Sequence, residues 1–228
     1  MQLQTIIDTV RYGDLCSISW EDPARIPQII SYLNLALIDL YKGFPIKEKQ
    51  VAIQQFSQTS IYVLSREYAR TNIESDVPHR YILDNDYEPF IDDVLIITGA
   101  CDELGRPVPL NDNHDPRSWF LSGYNQIQIP EAKDNETAFL IYRCKPVFIS
   151  PTITDFSIDI ELPDYLLEAV CSYIAFKAML SMGGQEGMAA SEIFHKNYLD
   201  HCKEVDIRNL LNQNSSVSNI KPGIRGYV

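Results

Sequence analysis

Apolar residues recur along this chain with two different periods, and the change of period marks its organisation. Leu3, Ile6, Ile7 and Val10 fall on one side of a short helix over residues 1–12. Asp22-Pro23 and Pro27 mark a turn and the start of a second helix reaching about Lys42. Along it Ile26, Ile30, Leu33, Leu37 and Leu40 form a single stripe, widened by Ile29 and Ala36, so this helix is expected to pack against others. Gly43 and Pro45 end it.

From Pro45 to about Ile160 the pattern turns strand-like. Gln50–Phe56, Ser60–Ser65, Asp93–Cys101, Asn125–Pro130 and Thr137–Lys145 are β-branched and aromatic runs bounded by Pro, Gly, Asn and Asp. The alternation Gln126-Ile127-Gln128-Ile129 is the clearest half-buried strand. Asp102-Glu103-Leu104-Gly105 predicts a turn, and Asn111–Arg117 a loop. Asn72–Pro89 is a long acidic, Tyr-containing connection, of the kind that usually carries function.

Helical spacing then returns. Leu166, Val170, Ile174 and Ala178 form one row, with Leu167, Cys171, Ala175, Met179 and Met182 beside it. Pro163 suits the first helical position, with Asp164 and Glu168 near the positive helix start. Gly183-Gly184 offers a left-handed cap. A last helix from about Gln185 to Val205 carries Ala190, Phe194, Tyr198 and Cys202 in a matching row. The expected fold is α+β: a helical bundle, made of the N-terminal helix and a C-terminal antiparallel helical hairpin, with an inserted antiparallel β region and an extended C-terminal tail. The expected domains are 1–44 with 161–207 for the bundle, 45–160 for the β-rich insertion, and 208–228 for the arm.

Charge adds an asymmetry. The chain has 228 residues, enough for a sizeable core in one domain or two small ones, and a formal net charge of −12. No acid follows Asp206, whereas Arg208, Lys221 and Arg225 are basic, which leaves residues 1–207 at −15. A basic, Asn/Ser-rich arm on an acidic body is suited to reaching a partner. A pI near 4.7 argues against holding nucleic acid by its phosphates, which needs Lys and Arg; an acidic surface instead lets DNA pass without adhering. Residues 1–10 lack a signal-peptide pattern, and no window is read as reaching the apolar length of a membrane span. Five widely spaced cysteines read as reduced cytosolic thiols.

Catalytic patterns are missing. There is no Gly-Lys-Ser/Thr of a Walker loop, no GxGxxG and no GxSxG. His195, His201 and Cys202 share a helix but lack HExxH or a second cluster. Asp84, Asp86 and Glu88 alternate as in a calcium loop, yet Pro89 stands where an EF-hand needs Gly. Asp92-Asp93 and Asp159/Glu161 have no signalled His or Lys partner, and Cys101 and Cys144 sit in apolar strands that favour inert thiols. No catalytic, cofactor or metal residue is assigned.

Three stretches carry a resemblance: YLNLALIDLYKGFPIK running into a strand; IITGACDELGRPVPLND followed by YNQIQIP and FLIYRCKPVFI; and IELPDYLLEAVCSYIAFKAMLSMGGQEGMAASEIFHKNYLDHCKEV. Over most of residues 26–207 the chain resembles the head-to-tail adaptor proteins of tailed bacteriophages, particularly those of short-tailed and crAss-like phages. The resemblance implies a structural virion protein without enzyme activity, assembled in the host bacterial cytoplasm and placed at the head-to-tail junction. Such adaptors join the portal protein in many copies, commonly as a dodecameric ring, extend the DNA channel and seat the next tail or nozzle component. DNA then passes through without specific binding, and neither a membrane nor a cofactor is implied. Their C-terminal segments dock into the portal, a role that falls here to Leu210, Leu211, Ile220, Ile224, Tyr227 and Val228 as apolar anchors with Lys221 and Arg225 as charge partners. The loops Asn72–Pro89 and Asn111–Arg117 would face the tail side or neighbouring subunits. Two alternatives stay open: another tail-completion or tail-tube protein, and an enzyme with an unrecognised Asp, Glu or His site.

Overall fold

Helix α1 (Leu3–Tyr12) forms where four apolar residues recur at helical spacing, and all four, Leu3, Ile6, Ile7 and Val10, are buried. The computed structural model describes residues 1–16, 19–20, 22, 24–208 and 210. Among them the chain is mixed α+β: four α-helices and two small antiparallel sheets. It divides into two units, residues 1–40 with those from 146 onward, and residues 41–145.

The first unit holds the helices. α2 (Arg25–Gly43) buries Ile29, Ile30, Leu33, Ala36, Leu37 and Leu40. α3 (Leu167–Met182) and α4 (Gly184–Ile207) pack as an antiparallel pair, with Tyr173 edge-on to Tyr198 at 5.1 Å and Phe176 stacked on His195 at 4.7 Å. α1 packs on α3. Gln28, early in α2, donates to Ser181, late in α3, at 3.3 Å. The orphan amides that start α1 are satisfied across the chain: Leu3 N donates to Ile158 O at 3.0 Å and Gln4 N to Phe156 O at 2.9 Å.

Three local expectations change. Pro163 is not the first helical position: it precedes a 3-10 turn, Asp164–Leu166, and α3 begins only after that. Gly183 and Gly184 both take the positive φ expected of a glycine cap, 67° and 73°, but Gly183, the cap of α3, pairs it with ψ of −168° and so lies outside the left-handed helical region, in one open essentially to glycine alone. Segment Asp164–Met182 does have the length and apolar composition of a membrane span. In this fold it is a core helix, with Val170, Ile174, Ala175 and Ala178 buried.

The second unit is built on two three-stranded sheets. β1 (Glu48–Gln54), β6 (Thr137–Cys144) and β3 (Val94–Cys101) form one, with β6 central. β2 (Ile61–Val63), β5 (Gln126–Gln128) and β4 (Phe120–Gly123) form the other, with β5 central. β6 alternates strictly, burying Ala138, Leu140, Tyr142 and Cys144. Both sheets feed one core in which Ile53, Tyr62, Leu64, Ile82, Ile97, Ile127 and Leu140 are nearly or fully inaccessible. Strand β4, which begins at Phe120 just after the loop Asn111–Arg117, is absent from the sequence reading. β3 buries every third residue, Val94, Ile97 and Ala100, because its register against β6 shifts twice.

Candidate functional site

Of the eight candidate partner-binding residues only Leu210 is described, and it is half-buried. Leu211, Ile220, Lys221, Ile224, Arg225, Tyr227 and Val228 lie outside the described residues.

The adjacent carboxylates Asp92 and Asp93 are engaged in holding the fold. Asp93 accepts from Lys49 Nζ at 2.7 Å and from the Tyr142 hydroxyl at 3.0 Å, tying β1, the start of β3 and β6 together. Burial opposes the charge on Lys49, yet the bond to Asp93 holds its ammonium above the usual lysine range. The buried Cys144 thiol is pushed up to about 12, first by desolvation and then by the Asp93 charge, so it is an unreactive thiol at neutral pH. Burial likewise pushes Cys171 up to about 12. Asp92 accepts from Arg66 N at 2.6 Å, so the adjacent carboxylates turn to different partners.

The calcium-like spacing resolves into loop capping. Asp84 accepts from Thr71 N and Phe90 N, each at 3.0 Å, and from the Thr71 hydroxyl. Burial raises its carboxyl, but these bonds outweigh it and hold Asp84 below the ordinary range. Asn85 caps the amides of Tyr87 at 2.9 Å and Glu88 at 3.0 Å. Asp84 thus ties residues 71 and 90 to one point, and Tyr87 projects fully exposed from the turn between.

In the first unit His201 Nδ1 lies 3.4 Å from Glu168 Oε2, His195 stacks on Phe176, and Tyr198 donates to Asp39 Oδ2 at 2.5 Å. Among the described residues no group of three or more His, Cys, Asp and Glu side chains is arranged to hold a metal ion. A groove of about 440 Å³ in the second unit is lined by Trp119, Arg106, Arg117 and Lys133 among others. Each of these cations already pairs with a nearby acid: Arg106 with Asp102, Arg117 with Asp115, and Lys133 with Glu136.

Large apolar side chains also stand open to a partner. Ile73 is 85% exposed and Tyr87 100%, and Ile91 follows at 58%. In the first unit Val147 and Phe148 are exposed side by side. Phe148 is held outward by its neighbour, because the side-chain amide of Asn34 brackets Ile149, donating to its carbonyl and accepting from its N–H. The sequence offered a partial signal for the first group, an acidic connection interrupted by Tyr and Ile. It offered none for the second. No family model matches the chain, and no curated protein is significantly similar to it.

Proposed function

We propose that the chain is a structural adaptor of the head-to-tail junction in a short-tailed or crAss-like tailed bacteriophage. It carries no enzymatic activity, joins the portal protein in a homo-oligomeric ring, extends the DNA channel and seats the next tail component. In this reading α1, α2, α3 and α4 form a helical bundle and the β region is inserted between its halves. The tail from Leu210 onward docks on the portal, and the protein resides in the virion after assembly in the host cytoplasm.

The observation that carries the proposal is a division of labour among side chains. The carboxylates Asp93, Asp84 and Asp39 are each engaged in internal hydrogen bonds, Asp93 also in an ion pair with Lys49. Large apolar side chains, by contrast, stand exposed at Tyr87, whose N–H is capped by Asn85, and at Phe148, next to the bracketed Ile149. That combination favours assembly over catalysis. The acidic body supports a channel through which DNA slides, and the resemblance of the three sequence stretches supplies the particular junction.

The test is removal of residues 210–228. The shortened chain is expected to keep the thermal unfolding of the full chain and to lose binding to the portal encoded in the same genome. Undiminished portal binding overturns the tail assignment. A portal that ignores the full chain as well overturns the adaptor reading in favour of another tail-completion or tail-tube protein.

A further inference from the structure

The acidic connection of the second unit presents a face with no described partner. Residues 72–92 carry six carboxylates against one basic residue, Arg80. Five of the six, Glu74, Asp76, Asp86, Glu88 and Asp92, are exposed, and Ile73, Tyr87 and Ile91 are exposed among them. Arg80 donates to the carbonyl of Asn72 at 2.9 Å. Exposed apolar side chains within a like-charged surface are costly in a free protein, since water and mutual repulsion act together. The pattern along the chain is interleaved: acid, Tyr, acid at residues 86–88, then Ile and acid at 91–92.

The complement of that pattern lies in the same sequence. Residues 211–228 contain no acid, and their two cations are interleaved with apolar residues: Ile220-Lys221, Ile224-Arg225, then Tyr227-Val228. We infer that the segment 211–228 of one copy docks on the 72–92 face of a second copy, with Lys221 and Arg225 against Asp86 and Glu88 and the apolar residues against Tyr87 and Ile91. Segment and face are different surfaces, so the contact is head-to-tail and passes from copy to copy. Because its charges are solvent-facing it weakens with salt. The portal then competes for the same segment, so that the arm is covered until the portal is present. This rests on reading the segment as a docking arm and on self-association, not on the portal being its final partner.

The experiment is zero-length carbodiimide cross-linking of the full chain alone, mixing isotopically light and heavy copies. Lys221 is the sole lysine beyond residue 207, so its links are unambiguous. Links from Lys221 to Asp86 or Glu88 are expected in mixed light–heavy pairs. Raising salt from about 0.05 to about 0.5 M is expected to reduce them at least ten-fold. The variants Arg225→Gln and Tyr87→Ser, both changing exposed or arm residues, are expected to lower the yield several-fold without altering thermal unfolding. Lys221 linked to other carboxylates, or linked to Asp86 and Glu88 only within single-isotope chains, overturns the proposal. Since no portal is present, failure here leaves the portal-binding test untouched, and the reverse also holds.

Discussion

The side-chain amide of Asn34 pairs with the backbone of Ile149 in both directions, donating to its carbonyl at 2.8 Å and accepting from its N–H at 3.0 Å. Asn34 is 5% exposed on the inner face of α2. It does for an extended segment what a neighbouring strand would do, satisfying two buried backbone groups at once. Asn34→Leu keeps the branched outline of the side chain, with bulkier methyl groups, and strands both groups. It is expected to destabilise the fold by about 2–4 kcal/mol, read from urea unfolding. A loss under about 0.5 kcal/mol would mean that the bracket is not formed in solution.

Tyr198 joins α4 to α2 through its bond to Asp39. Burial, then the bond to Asp39, pushes its phenol well above the ordinary tyrosine range, so it stays a neutral donor across working pH. Tyr198→Phe removes the hydroxyl and keeps the ring against Tyr173. The expected cost is about 1.5–3 kcal/mol, the range for a hydrogen bond to a charged group. An unchanged unfolding midpoint contradicts the pairing.

Asp84 gives the second unit an acid limit. Its folded carboxyl titrates below the unfolded value, so the carboxylate stabilises the fold above about pH 3.9, and that contribution disappears as pH falls through the lowered folded value. Hydrogen-exchange protection factors at Thr71 and Phe90 are expected to fall over that interval before those of β6 do. Asp84→Asn should show weaker protection at neutral pH and no such titration. Protection at both amides that is flat down to pH 3 would contradict the cap.

Gly183 lies at φ 67° and ψ −168°, with open space where a Cβ would stand. The obstacle to a side chain is therefore backbone conformation and not crowding. Gly183→Ala is expected to cost about 1–3 kcal/mol. Gly43→Ala, which also meets open space but has no positive φ, should be near neutral in the same assay.

Legibility followed periodicity. The buried stripes of α1 and α2 and the row Leu166, Val170, Ile174 and Ala178 follow from spacing, because one side of each element faces a core; β6 reads as a strand, but its run Ala138–Tyr142 is apolar throughout, so its alternation of buried positions is visible only in the fold. β3 was legible as a strand over Asp93–Cys101, but its buried positions were not, since its two bulges replace alternation by a repeat of three and leave Ile96 exposed. β4 was hidden in a short, half-exposed stretch with Ser122 and Gly123. Segment 146–160 has no period at all, and its place is set by Asn34 and by the amides of Leu3 and Gln4, none of which marks a partner in the sequence. Asp84, Asp86 and Glu88 were visible as a cluster, but only geometry separates the capping carboxylate from the two that face water.

The most direct measurement is the native mass of the full chain, alone and mixed with the portal of the same genome. The adaptor account predicts that the mixture converts to a single species in which a closed ring of this chain is seated on the portal. A chain that remains separate from the portal at every ratio would contradict it.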